Sequence, residues 1–302
     1  MITSTAIDIS SKVSFGGHES FPFRLGWIRK GVLAVGDPNA FNAEDAVVRL
    51  GVGKNMVRSI RTWCLATQML EEKPVAGASR VRQLAPSAVA KVIFGESSDP
   101  YMEDAATLWL IHWLLVTNLE RLSLWRIAFM YSKENEFRKS DLVSLAVTHS
   151  GGQKVEESTV SRDADVLVRC YVTIRSSGSE EDFSCPLTDL GLISHGGGER
   201  YSFNVGPKRS LPDEVFGFAL VQFLRLQEAS ECSLSDATYL PGSPGQAFKL
   251  DEDSVAAHMR GLERLNPRRW IVNVDGPIRR IGFVPPVSDL ELLEEYYMLG
   301  VS

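Results

Sequence analysis

The chain has 302 residues, a formal net charge of −6 at neutral pH and 44% hydrophobic residues. That length suits two or three domains with packed cores. The acidity excludes a histone-like nucleic-acid coat, so any nucleic-acid contact must come from a local basic patch. The four cysteines, Cys64, Cys170, Cys185 and Cys232, include no Cys-x-x-Cys pair, which fits reduced thiols in a cytoplasmic protein and neither a zinc site nor a disulfide framework.

In chain order, Met1–Lys12 is polar and lacks the apolar core of a signal peptide. Ser14–Gly31 is the densest stretch. Its eighteen residues hold four large aromatics, four glycines, Pro22 and the ionisable cluster His18, Glu19 and Arg24. Aromatics want burial, whereas the glycines and Pro22 prevent one continuous helix or strand. A buried irregular segment must satisfy its polar groups, so these side chains need fixed partners. Two readings stand side by side: an Arg24–Glu19 ion pair that organises the turn, or a site in which His18, Glu19 and Arg24 act as base, orienter and phosphate clamp.

Glu44–Leu50 reads as a short helix broken by Gly51-Val52-Gly53, and a second helix follows from Lys54 to about Leu70. Helix, glycine turn and amphipathic helix form a helix-turn-helix pattern. Lys54, Arg58, Arg61 and Thr62 share one face of the second helix and are candidates for DNA contact; a merely solvated face is the alternative. Asp104–Tyr131 reads as two helices meeting near Asn118, and Ala105–Val116 is the most apolar run, too short to span a bilayer. Lys139–Val147 is a helix capped by Ser140. A turn at His149–Gly152 leads to a helix over Glu157–Cys170, with Val160, Ala164, Leu167 and Tyr171 inward and Arg162, Asp163 and Arg169 outward. Ser176–Ser179 is an exposed tip, and Tyr201–Val205 alternates like a strand.

The last third has helices at Asp213–Glu228, near Leu234 and at Glu252–Leu265, then a hairpin of Trp270–Val274 and Arg279–Val284 around Asp275-Gly276-Pro277. Asp289–Leu299 is an acidic tail helix. Arg260, Arg264, Arg268, Arg269, Arg279 and Arg280 fall within 21 residues; arginine forks suit phosphate oxygens, and paired surface charge is the alternative. The expected fold is mainly α with small β-hairpins, arranged as tandem winged helix-turn-helix units: residues 1–103, 104–210 and 211–302. No phosphate loop, dinucleotide fingerprint or nucleophile elbow is present, and no cofactor is evident; nicking chemistry would call for a divalent metal.

The opening stretch also resembles the pattern Phe-Gly-x-His-Glu-[Ser/Thr]-Phe-x-x-Arg-x-Gly-Trp-[Leu/Ile]-x-Lys of a bacterial domain-of-unknown-function family. That family includes SspB, the B component of Ssp systems, which place phosphorothioate linkages on one DNA strand. Ser161-Arg162-Asp163-Ala164-Asp165, Cys185-Pro186-Leu187, Leu190–Ile193, Ser243-Pro244-Gly245 and Ala247–Leu250 follow in matching order. The resemblance implies a DNA-engaging component of a phosphorothioate modification or defence system that nicks DNA for sulfur insertion. Its implied partners are DNA, a cysteine desulfurase, an ATPase and an ATP-using sulfur-transfer enzyme, with no membrane. The residues alone leave open a non-catalytic DNA-binding adaptor or transcription regulator, and a protein-interaction scaffold.

Overall fold

The computed structural model describes residues 12–37, 40–41, 45–75, 78–95, 98–173 and 185–299. Within them lie thirteen α-helices, a 3-10 turn at Pro186–Leu190 and eight short strands in three antiparallel sheets. The protein is mainly helical with small hairpins, as its sequence leads one to expect. The Ser176–Ser179 tip and Glu44 lie outside the described residues.

The first segment runs α1 (Leu25–Ala34), α2 (Ala46–Leu50), α3 (Lys54–Ala66), β1 (Leu70–Val75), β2 (Ala78–Pro86) and α4 (Ala88–Ile93). Gly51, at φ 64°, ends α2 in the left-handed conformation that only glycine takes freely, and so turns the chain into α3. α3 stops at Ala66, four residues short of the expected end, where the Thr67 hydroxyl bonds back to the Trp63 carbonyl. Leu70 instead opens β1, paired with Pro86. Gly31 lets α1 approach α3: a Cβ there would collide with Cys64 Sγ.

The next two segments each end in a three-stranded sheet built from one early strand and a final hairpin, with helices intervening. The second runs α5 (Ala105–Val116), α6 (Ser123–Tyr131), β3 (Glu136–Phe137), α7 (Lys139–Thr148), α8 (Glu157–Tyr171), β4 (Ile193–Gly197) and β5 (Arg200–Phe203). The third runs α9 (Asp213–Leu226), β6 (Glu231–Ser233), α10 (Leu234–Tyr239), α11 (Pro244–Phe248), α12 (Glu252–Leu265), β7 (Trp270–Asn273) and β8 (Arg280–Phe283), with α13 (Asp289–Leu299) appended. Each three-stranded sheet places its last strand in the middle, β3-β5-β4 and β6-β8-β7. α7 is closed by Asp141, whose carboxylate accepts from the Arg138 N–H; Ser140, the expected cap, does not serve.

One apolar core runs from Val13 to Tyr297. α5 lies at its centre, buried on every side from Ala106 to Val116, which explains an apolar run without a polar face. Thr107 and His112 are its polar exceptions: the Thr107 hydroxyl bonds Asp99, and His112 Nδ1 lies 2.8 Å from the Tyr171 hydroxyl of α8 and its Nε2 2.8 Å from the Ala247 carbonyl of α11. Among the described residues no helix is long and apolar enough to cross a membrane. All four cysteines are buried free thiols.

Candidate nucleic-acid interface

The aromatic-rich opening segment folds as an irregular wedge between α3 and α8. Gly16 and Gly17 sit at φ 76° and 84°, and Glu19 and Ser20 at 51° and 63°. The last two hold a left-handed backbone without glycine's freedom, a strain that persists only where surrounding contacts impose it. Those contacts are dense. A Cβ on Gly17 would stand 3.3 Å from the Thr62 side chain of α3, and one on Gly16 3.4 Å from Thr159 of α8.

His18 sits at the centre, 2% exposed. The Ser20 N–H donates to its Nδ1 at 3.0 Å, so the ring proton is on Nε2, which donates to Asp163 Oδ1 at 2.9 Å. Asp163 also accepts from the Gly16 N–H at 2.9 Å. Ser59 of α3 donates its hydroxyl to the His18 carbonyl, and Arg169 of α8 donates to the Ser20 carbonyl. Trp63 stacks on the imidazole and Trp125 meets it edge-on. The sequence expectation that Asp163 points outward is therefore overturned: it is fully buried, because α8 must supply an acceptor for the loop.

The three ionisable residues of this segment do not converge. His18 pairs with Asp163. Glu19, half-buried, faces Arg58 of α3 at 3.9 Å. Arg24 precedes α1 and lies over the Trp27 and Phe21 rings, at 5.2 and 5.9 Å from their centroids. The Arg24–Glu19 ion pair considered from sequence is replaced by these separate partners, since the turn at Glu19 and Ser20 sends Glu19 toward α3.

Around the loop the fold gathers cations from two helices far apart in sequence. Arg58 keeps 58% of its side chain exposed. Arg162 is exposed and donates to Thr159, beside Gly16. Lys54 is exposed at the start of α3, while Thr62 packs under Gly17 and Arg61 is tied to Glu72 at 2.7 Å. Asp163, Ser59 and Arg169 complete the site. Of these, only Asp163 lies in a motif noted from the sequence; no local pattern marks Ser59 or Arg169.

The C-terminal arginines behave differently. Arg260 pairs with Asp275, Arg269 with Glu295, Arg279 with Glu252 at 2.9 Å and Arg280 with Glu231 at 2.5 Å. No ion pair is described for Arg264 or Arg268. Much of this patch is thus charge-balanced surface. Among the described residues no three His, Cys, Asp or Glu side chains converge as a metal centre, so they build no closed cage for magnesium.

The fold defines a helical protein of serial helix-and-hairpin segments with a loop-centred cationic face between α3 and α8. The model of the family described as "Protein of unknown function (DUF4007)" matches residues 15–297, and the chain belongs to that family. A magnesium-ion-bound SspB crystal structure is similar at TM-score 0.87 and 30% identity, covering 96% of this chain and 90% of that one. A second SspB crystal structure gives 0.86 and 29% over the same shares. No curated protein matches the sequence.

Proposed function

We propose that this chain is an SspB-like, DNA-engaging component of a phosphorothioate modification system, and that it nicks one strand for sulfur insertion. The observation that carries the reading is the convergence of Gly16–Ser20 with Arg58 of α3 and Arg162 and Arg169 of α8 on one face. Two helices brought together by a glycine loop offer guanidinium groups for successive phosphates. The connectivities of the three segments support winged helix-turn-helix units at 1–103, 104–210 and 211–302, in which α3, α8 and α12 take the groove-facing position. Lys54, Arg61, Thr62, Arg268, Arg269, Arg279 and Arg280 extend the proposed DNA surface around that centre.

In this reading the opening trio divides its work. His18, fixed by Asp163, is a positioning residue that holds the loop. Glu19 is the carboxylate that accepts a proton from the attacking water. Arg24, over its aromatic rings, keeps the loop exit in place. The similarity to SspB also supports the proposed partners: a cysteine desulfurase, an ATPase and an ATP-using sulfur-transfer enzyme.

One observation favours a non-catalytic DNA-binding adaptor instead: with both His18 ring nitrogens engaged and Glu19 facing Arg58, the trio has no free group to protonate a leaving oxygen. Relaxation of supercoiled plasmid, with and without Mg²⁺, separates the two. The nicking reading expects open-circular product from the wild type, none from Glu19→Gln, and unchanged DNA affinity in that variant. No product under any metal condition, with binding intact, decides for the adaptor. Unchanged DNA affinity in a folded Arg58→Glu/Arg162→Glu variant removes this face from the interface and overturns both.

A further inference from the structure

α6 carries a charge that the fold does not answer. Arg126 is 3% exposed, and its Nε and Nη1 have no hydrogen-bond partner. It takes part in none of the ion pairs or cation–π contacts among the described residues. Burial lowers its pKa, and Tyr131 acts in the opposite sense. A guanidinium does not surrender its proton in a protein, so the charge stays, and an uncompensated buried charge is costly.

The neighbouring Trp125 Nε1 also lacks a partner, but its ring meets Trp63 edge-to-face at 5.4 Å. In that arrangement an indole N–H can rest on a ring face. Arg126 has no such outlet. It follows by three residues Ser123, whose N–H and Oγ bond the Ser14 carbonyl and N–H at 2.8 and 2.9 Å. Residues three apart share a helix face, and helical side chains lean toward the N-terminus. The Arg126 stem therefore leans toward the turn crossed by the segment that leads into Gly16.

We propose that Arg126 anchors a phosphate-binding site beside the opening segment. A planar fork with free N–H groups matches a phosphate oxyanion. The burial selects a compact ligand, inorganic phosphate or a strand-end phosphate monoester, because an internal phosphodiester carries sugars on both sides that cannot follow it inside. The proposal does not rest on DNA nicking or on the α3–α8 face.

The test is calorimetry and thermal melting of the full chain against three probes: inorganic phosphate, a 5′-phosphorylated oligonucleotide, and the same oligonucleotide unphosphorylated, all at matched ionic strength in chloride. Saturable phosphate binding is expected, with a rise in Tm of roughly 2–3 °C at tenfold excess over Kd, lost in Arg126→Met. A 5′-phosphorylated strand that outcompetes both other probes identifies a strand end; equal phosphate and strand-end affinity identifies the free ion. Absence of saturable phosphate binding by the wild type overturns the proposal, whatever the variants do. So does an equal response in folded Arg126→Met. If that variant does not fold, Arg126→Lys keeps the charge without the fork and should weaken binding about tenfold; unweakened binding there also overturns it.

Discussion

Asp163 shows how much one buried side chain carries in this protein. Its two oxygens accept from the Gly16 N–H and from His18 Nε2–H. Asp163→Ala strands both donors in a dry site and should cost roughly 2–4 kcal/mol, read as a lower urea midpoint. Asp163→Asn keeps the volume and one acceptor oxygen, so it should cost less than alanine; equal losses would mean that the loop needs both carboxylate oxygens and that one amide oxygen cannot serve. Gly31 is a second residue-scale test. Its Cβ would meet Cys64 Sγ, so Gly31→Ala should destabilise by about 1–3 kcal/mol through overpacking. Cys64→Ala removes the obstructing sulfur, and the double variant should be more stable than the sum of the single losses predicts. Strict additivity would show that α1 and α3 yield by moving apart instead.

At the scale of elements, α3 and α8 differ from the last hairpin in what their arginines have to do. Arg279 and Arg280, beside and on β8, are half-exposed and already paired with Glu252 and Glu231. Solvent-exposed pairs of this kind contribute little, so Arg279→Ala/Arg280→Ala should change stability by less than about 1 kcal/mol. Its loss of DNA affinity should also be smaller than that of Arg58→Glu/Arg162→Glu, because Arg279 and Arg280 must first give up close carboxylates, whereas Arg58 meets Glu19 only at 3.9 Å. For the latter variant the slope of log affinity against log salt should shrink by about one unit per lost phosphate contact. Binding isotherms across a salt series check both statements, and a larger loss from the hairpin pair would move the interface to the C-terminal unit. The motif Ser243–Leu250 reads as architecture at this scale. Ser243 caps α11, and a Cβ on Gly245 would strike the Thr238 backbone. Lys249, at φ 53°, turns its ammonium onto Phe203 and the Phe129 carbonyl.

His112 ties the whole molecule together, joining α5 to α8 and to α11. Burial, assisted by the nearby Lys249 charge, pushes its pKa down to about 3, against the contrary pull of the Ala247 carbonyl. The folded state therefore keeps the ring neutral while the unfolded chain protonates near 6.5. Protons bind the unfolded state preferentially between those values, so the contribution is complete above about pH 6.5 and is lost as pH falls toward 3. Lys249, lowered by burial to about 7, adds the same sign over a higher window, with stability rising from about pH 7 toward 10.5. Urea midpoints should fall steeply from pH 6.5 to 4.5. His112→Gln, which can retain a donor for Ala247 and an acceptor for Tyr171, should flatten that fall; an unchanged acid slope would assign it to other groups.

The sequence by itself determined α9, α10, α12 and α13 of the last third, though not the short α11, as well as the central pair around Asn118 and the C-terminal hairpin. Periodicity, caps and turn residues are local, and they decide local structure whatever surrounds them. Asp251, for example, caps α12 one residue before its expected start. The opening motif was also legible as a buried, polar-anchored segment, since aromatics with glycines permit little else. Only the tertiary structure decided who its partners are. Asp163 stands 145 residues from His18, and nothing in a helix written Ser161-Arg162-Asp163-Ala164-Asp165 says which carboxylate turns inward. That choice belongs to the loop, whose N–H and imidazole need an acceptor once water is excluded. The same holds for the cations: basic residues look alike in sequence whether a carboxylate clasps them closely, as at Arg279 and Arg280, or stands off at 3.9 Å and leaves the guanidinium largely exposed beside a glycine loop, as Glu19 does at Arg58.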